Sequence, residues 1–159
     1  MALQVITPPE AISQKIYKES INIFLAGSIE IGKAEDWQQT CIDYLDKRWT
    51  EDAITLLNPR RKDWDSKWKQ GAEEPNFYQQ VNWELNALDK SKYIIMYFDP
   101  NTKSPISLLE LGLYAKSGKL LVCCPKGFYR RGNVEVVCEK YNIPFFNSLT
   151  VLLQHVKPL

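Results

Sequence analysis

The sequence predicts an α/β fold built on a mostly parallel sheet. Short, almost wholly apolar runs of strand length occur at 20–26, 53–57, 93–98 and 120–124, separated by longer segments whose apolar residues recur at helical spacing. Turn-forming pairs stand at the junctions: Gly27-Ser28, Asn58-Pro59, Ser104-Pro105 and Ser117-Gly118. Strands that are apolar on both faces and joined through helices belong in parallel sheets, because each crossover helix covers a face.

Residues 1–19 read as an extension leading into the first strand, and 20–159 as a single domain, a suitable length for one core. The first strand, 20–26, ends at Gly27-Ser28. A helix over 34–47 carries Trp37, Cys41, Tyr44 and Leu45 on one stripe. The second strand, 53–57, is followed by a polar, tryptophan-bearing loop. A helix from Pro75 to about Lys90 places Phe77, Val81, Leu85 and Leu88 on one face. The third strand, 93–98, leads through a loop to Ser104, a helix N-cap, with Pro105 at the first helical position. That helix is expected to end at Ser117-Gly118. A fourth strand at 120–124, a helix over 134–141, a short strand at 143–146 and a last helix from about 148 complete the pattern. Five strands fit the order 2-1-3-4-5, a flavodoxin-like three-layer sandwich.

Bulk properties narrow the function. The 45% hydrophobic and 25% charged residues are those of a globular protein, and 20 basic against 19 acidic side chains leave a net charge of +1. Such a balance provides no general field for a nucleic acid polymer or an anionic membrane. No apolar run is long enough to span a bilayer, and the N-terminus lacks signal-peptide character, so a cytoplasmic location is expected. Cys41, Cys123, Cys124 and Cys138 lack metal or redox spacing and read as buried thiols. His155, the only histidine, stands near the C-terminus, so a histidine-based triad or multi-histidine metal site is not expected. Neither a metal nor a cofactor is predicted; carboxylates, hydroxyls and backbone dipoles must carry any chemistry.

In an open parallel sheet, ligands bind beyond the carboxyl ends of the strands where strand order reverses. Here that position selects the loops 27–33 and 99–104. The first has two glycines but no dinucleotide-binding or P-loop pattern, and a tight strand-to-helix turn is enough to explain Gly27. Two carboxylates occupy unusual helical positions. Glu84 falls on the apolar face of its helix, and Glu110 is embedded in Ile-Ser-Leu-Leu-Glu-Leu-Gly-Leu-Tyr. On pattern alone, each is either a buried carboxylate needing a partner or a helix-edge glutamate reaching water or a neighbouring loop. Two carboxylates beside a sugar suit glycosyl transfer, one attacking the anomeric carbon while another group assists departure.

Phe-Leu-Ala-Gly-Ser at 24–28, the strand 93–98, and Ser104 followed by Glu110-Leu-Gly and, at 118–119, Gly-Lys resemble the nucleoside 2-deoxyribosyltransferase superfamily, over roughly 21–137. That superfamily includes the 2-deoxynucleoside 5-monophosphate N-hydrolases. The resemblance implies that Glu110 is the nucleophile, that a covalent deoxyribosyl ester forms, and that a second base or water takes the sugar. It assigns Glu84 to base orientation or proton transfer, where relatives more often carry aspartate. It places Phe24, where many relatives have tyrosine, with Gly27 and Ser28 at the substrate. Ser104 stands where transferases carry an aspartate for the sugar 5-hydroxyl and the hydrolases a serine. Glu30 stands where the hydrolases carry an arginine for the phosphate. Asn133 matches the transferase asparagine that reaches the 5-hydroxyl, often from a neighbouring subunit. Two of these three markers favour a nucleoside.

In the loop 58–68, the resemblance suggests nucleobase stacking on Trp64 or Trp68 with Asp63 or Asp65 at its polar edge. A solvated loop with its tryptophans tucked onto the body accounts for the same residues. Lys119 reads as a helix-end charge. The expected substrates are a 2-deoxynucleoside and a free nucleobase, and the expected assembly is a homo-oligomer with shared active sites. Hydrolysis of a deoxynucleoside or its monophosphate, and a non-catalytic nucleotide-sensing module, are the alternatives.

Overall fold

The computed structural model describes residues 3–30, 32–48, 53–61 and 67–157. Six strands, β1 (Leu3–Ile6), β2 (Ile21–Gly27), β3 (Ile54–Leu57), β4 (Tyr93–Tyr97), β5 (Leu120–Cys123) and β6 (Phe145–Phe146), alternate with six helices among these residues. The helices are α1 (Gln14–Glu19), α2 (Trp37–Arg48), α3 (Pro75–Lys90), α4 (Pro105–Tyr114), α5 (Arg131–Lys140) and α6 (Leu149–His155). All strand pairs are parallel, in the order β1-β3-β2-β4-β5-β6.

The predicted order 2-1-3-4-5 is found as β3-β2-β4-β5-β6; the strand count is six rather than five. The additional strand comes from the first residues of the chain, where Leu3 pairs with Ile54 and Ile6 with Leu57 at the sheet edge. Only Leu3 and Ile6 of β1 are buried, while Gln4 and Val5 face out. Four residues with two apolar ends carry too little periodicity to announce a strand.

Side chains alternate across the sheet as the pleat requires. Phe24, Ala26, Ile94, Met96, Leu120 and Val122 pack beneath α3, α4 and α5, with Trp83, Ala87, Leu111 and Val134. Ile23, Leu25, Leu56, Ile95, Tyr97 and Cys123 face the opposite layer, with Trp37, Cys41 and Leu45 of α2 and Leu152 and Leu153 of α6. Each such buried apolar side chain contributes about 1.5–3 kcal/mol by leaving water, which makes the two-faced sheet the main source of stability.

The inward face of α3 is rotated from the expected one. Gln80, Trp83, Ala87 and Leu88 are buried, whereas Phe77 and Val81 are half-buried and Leu85 is exposed. Trp83 supplies the reason: its ring packs against Phe24 at 6.3 Å and its indole N–H donates to the Glu10 carbonyl, drawing that side of the helix onto the sheet. Helix α4 stops at Tyr114, earlier than predicted, and the turn beyond it includes Gly118 at φ 75°. The four cysteines are buried and free.

Candidate active site

The strand order reverses between β2 and β4, so the crevice opens where their carboxyl ends meet the loops leading to α2 and α4. Gly27 makes that meeting possible. Its φ is 139°, and a Cβ there would lie 2.8 Å from the Tyr97 backbone nitrogen and 3.0 Å from the Trp37 ring. Only glycine allows the ends of β2 and β4 to approach this closely.

Ser28 then joins the two loops. Its N–H donates to the Tyr97 carbonyl, and its hydroxyl oxygen accepts from the Asp99 N–H at 2.9 Å. Its carbonyl accepts from the Trp37 indole at 3.0 Å. Ser28 and Ser104 hydroxyl oxygens are 2.5 Å apart, and Thr102 lies 3.0 Å from the first and 2.7 Å from the second. All three side chains are buried. Asp99, also buried, accepts from Asn101 N–H at 2.8 Å and Glu35 N–H at 3.0 Å, so the loop after β4 is held from both sides.

Ser104 occupies the predicted N-cap position with Pro105 following, but its hydroxyl makes no capping bond. Its backbone is left-handed, at φ 46° and ψ 55°. The N–H groups of Lys103 and Ser104 both donate to Glu30 Oε1, at 3.1 Å each. Successive backbone donors converging on one oxygen form an anion-binding concavity, here occupied by the chain's own carboxylate.

One and a half turns further along α4 lies Glu110, only 8% exposed. Among the described residues it makes no hydrogen bond and no ion pair. Burial pushes its carboxyl up to about 8, and the charge of Glu84 raises it further. Glu84, half-buried on α3, is pushed up to about 7 by burial, opposed by a hydrogen bond from Gln80. That amide donates to Glu84 Oε1 at 2.9 Å and to the Pro59 carbonyl at 3.1 Å. Helices α3 and α4 flank β4, and their inward faces bring the two carboxylates into one electrostatic unit. Near neutral pH such a pair shares about one proton and titrates as a pair. It therefore holds one ionised and one protonated carboxyl together; Glu110, raised further, keeps the proton in preference to Glu84, so a proton shift from Glu110 to Glu84 is what yields an ionised nucleophile beside a protonated acid.

The structure thus brings Gly27, Ser28 and Ser104 together at the crevice and couples Glu84 with Glu110. Phe24 is 1% exposed, within the core beneath Trp83. Asn133 lies exposed in the first turn of α5. Asp63 and Trp64 lie outside the described residues; Trp68, within them, carries the Arg61 guanidinium 5.2 Å from its ring centre. Lys119 closes the end of α3, its ammonium donating to the Leu88 carbonyl at 3.0 Å and to that of Asp89. Gln80 was not singled out by the sequence, although it stands four residues before Glu84, the spacing at which helical side chains meet. Thr102 and Asp99 lay in a recognised loop with nothing local to show their burial. No group of three or more His, Cys, Asp or Glu among the described residues is arranged to hold a metal ion. No helix among them is long and apolar enough to cross a membrane.

A family model described as nucleoside 2-deoxyribosyltransferase like matches residues 20–128. The chain belongs to this family. The match runs from the start of β2 past β5, so it contains both crevice loops, Glu84 and Glu110. A comparison with curated proteins gives no match. Strand β1 and helices α5 and α6 lie beyond the matched segment.

Proposed function

We propose that the protein is a nucleoside 2-deoxyribosyltransferase, with Glu110 as nucleophile and Glu84 as the group that orients the base and protonates it. The supporting observation is the Glu110–Glu84 pair: a buried, unbonded carboxylate on α4 coupled to a second one on α3, at a sheet switch point.

A Glu110 oxygen attacks C1 of the 2-deoxyribose. The C1–N bond breaks, its electron pair leaves with the base, and Glu84 supplies the proton. The product is a deoxyribosyl ester of Glu110 and a free base. A nitrogen of a second base then attacks C1, the ester bond returns its electrons to Glu110, and the proton of the incoming base passes to Glu84. Two inversions give overall retention. Without a 2-hydroxyl, the oxocarbenium-like transition state is not destabilised by an electron-withdrawing neighbour. Burial serves this chemistry, because a desolvated carboxylate is a stronger nucleophile than a hydrated one. Water in place of the second base yields hydrolysis from the same ester, a reading favoured by serine rather than aspartate at 104.

The proposal includes a homo-oligomer. Ile106, Leu109 and Leu113 form a stripe on α4, each 58% exposed, next to the buried edge that carries Glu110. An apolar stripe on the helix that carries the nucleophile suits a second copy, and the exposed Asn133 of α5 is available to a neighbouring site.

The test is base exchange. Each of the common 2-deoxynucleosides is incubated with and without a second free base, and products are separated by chromatography. Exchange supports transfer. Free base and deoxyribose with no exchanged nucleoside support hydrolysis, and absence of turnover overturns both.

A further inference from the structure

We propose that Tyr114 is a positioning residue that, through its hydrogen bond to Asp89, holds α4 against α3 and so directs the deoxyribosyl ester on Glu110 to a base rather than to water. This rests on the glycosyl-transfer reading of the Glu110–Glu84 pair.

Tyr114 stands one turn after Glu110 on α4, and Leu88 and Asp89 stand about one turn after Glu84 on α3. The Tyr114 phenol donates to Asp89 Oδ1 at 2.5 Å. Among the described residues this is the only hydrogen bond that joins the two helices. The Tyr114 ring packs against the core shared by α3 and α4. Burial, the Asp89 bond and the Asp89 charge hold the phenol well above its ordinary value, and the charge of Glu110 adds to them. A second tie comes from just beyond α4, where the Lys119 ammonium donates to the Leu88 and Asp89 carbonyls. Both helices run from the crevice toward the amino ends of the strands, because each leads into a parallel strand. The carboxylates therefore lie between the open crevice and this clamp, which fixes how far apart α3 and α4 stand beneath them.

Two acceptors compete for the ester. In transfer, a base nitrogen attacks C1, the electrons of the C1–O bond return to Glu110, and the proton of the base passes to Glu84. In hydrolysis, a water oxygen attacks C1, the same bond breaks toward Glu110, and Glu84 takes the proton of the water, leaving deoxyribose. The bonds that break are alike, but the demands on position differ. A planar base must meet C1 with one nitrogen while Glu84, on the other helix, holds its edge. Displacement by about 1 Å costs such an encounter about a hundredfold. Water is small, abundant and free of that demand. Loosening α4 against α3 therefore penalises transfer far more than hydrolysis. Tyr114 acts here only through the spacing of Glu110 and Glu84.

Exchange and hydrolysis are measured together by chromatography, with a 2-deoxynucleoside donor and a second free base. The proteins compared are the wild type, Tyr114→Phe, Asp89→Ala and Asp89→Asn. Tyr114→Phe keeps the ring and removes only the hydroxyl, so the core contact remains. The ratio of exchanged nucleoside to free deoxyribose should fall at least about tenfold in Tyr114→Phe and in Asp89→Ala. It should stay within about twofold of wild type in Asp89→Asn, which keeps an accepting oxygen. Tyr114→Phe combined with Asp89→Ala should lower it no further than either change alone, because both remove one bond. An unchanged ratio in Tyr114→Phe, additive losses in the double variant, or equal losses in Asp89→Asn and Asp89→Ala overturns the proposal. Any of these with an exchanging wild type leaves the chemistry standing and removes the clamp. A wild type without exchange overturns the transfer reading itself, and the role of Tyr114 with it.

Discussion

Glu110 lies midway along α4 and Glu30 meets the N–H groups at its start from the neighbouring loop, and the surroundings of the two carboxylates are opposite. Glu30 is half-buried and its carboxylate is met by two backbone N–H groups. Glu110 is buried, unbonded among the described residues, and faces a second carboxylate rather than a cation. A carboxylate with donors is stabilised as an anion and has little reason to react. One stripped of water and donors is costly to ionise, and that cost is recovered when it forms a bond to carbon. The contrast separates a carboxylate satisfied by backbone donors from one left without them, the condition proposed for the nucleophile.

Replacing the reactive member should have the largest effect. Glu110→Ala should lower kcat by about 10⁴ or more, with far-ultraviolet circular dichroism unchanged; an active Glu110→Ala protein removes the nucleophile assignment. Next comes its partner. The wild-type pH profile of kcat/KM should be bell-shaped, with limbs near pH 7 and 8 from the coupled pair. Glu84→Gln should cost about 10²–10⁴ in kcat/KM, abolish the alkaline limb, and leave a single rising limb from Glu110, below about 8 because the like charge is gone. A bell that survives in Glu84→Gln assigns the second limb elsewhere.

Stability offers a readout independent of substrate. The Glu110 carboxyl is raised in the folded protein from 4.5 to about 8, so the folded state holds this proton longer than the unfolded chain. Its contribution is fully present below about pH 4.5 and is lost as pH rises toward 8. Within that window wild type should lose up to roughly 1.4 kcal/mol per pH unit from this group, and Glu110→Gln should lose less. Urea denaturation at pH 5, 6.5 and 8 measures the difference; parallel curves for the two proteins contradict a buried Glu110. The smallest effect belongs to Gln80→Leu. Losing the hydrogen bond that favours ionised Glu84 should move one limb of the rate profile upward by about one pH unit or less.

Much of the fold was legible because alternating apolar strands and amphipathic helices repeat their signal over many residues. Helix α3 was bounded at Pro75 and Lys90 in the sequence as in the structure. The lapses are local. Strand β1 is too short for a periodic signal, and the α3 face turned because one bulky residue, Trp83, outweighed the spacing of Phe77, Val81 and Leu85. In the site, Glu110 stood out as a carboxylate among leucines. The hydroxyl cluster of Ser28, Thr102 and Ser104 did not, because its members are separated by up to 76 residues.

By itself the sequence determined the strands β2 to β6, the loops at their switch point and the two glutamates set among apolar neighbours, since periodicity and turn chemistry are properties of neighbouring residues. Tertiary structure alone decided their electrostatic states. Whether a carboxylate is desolvated beside another, as Glu110 is, or held by backbone donors, as Glu30 is, depends on which distant segments meet it. At Glu30 that meant placing a loop side chain against amide groups more than seventy positions away.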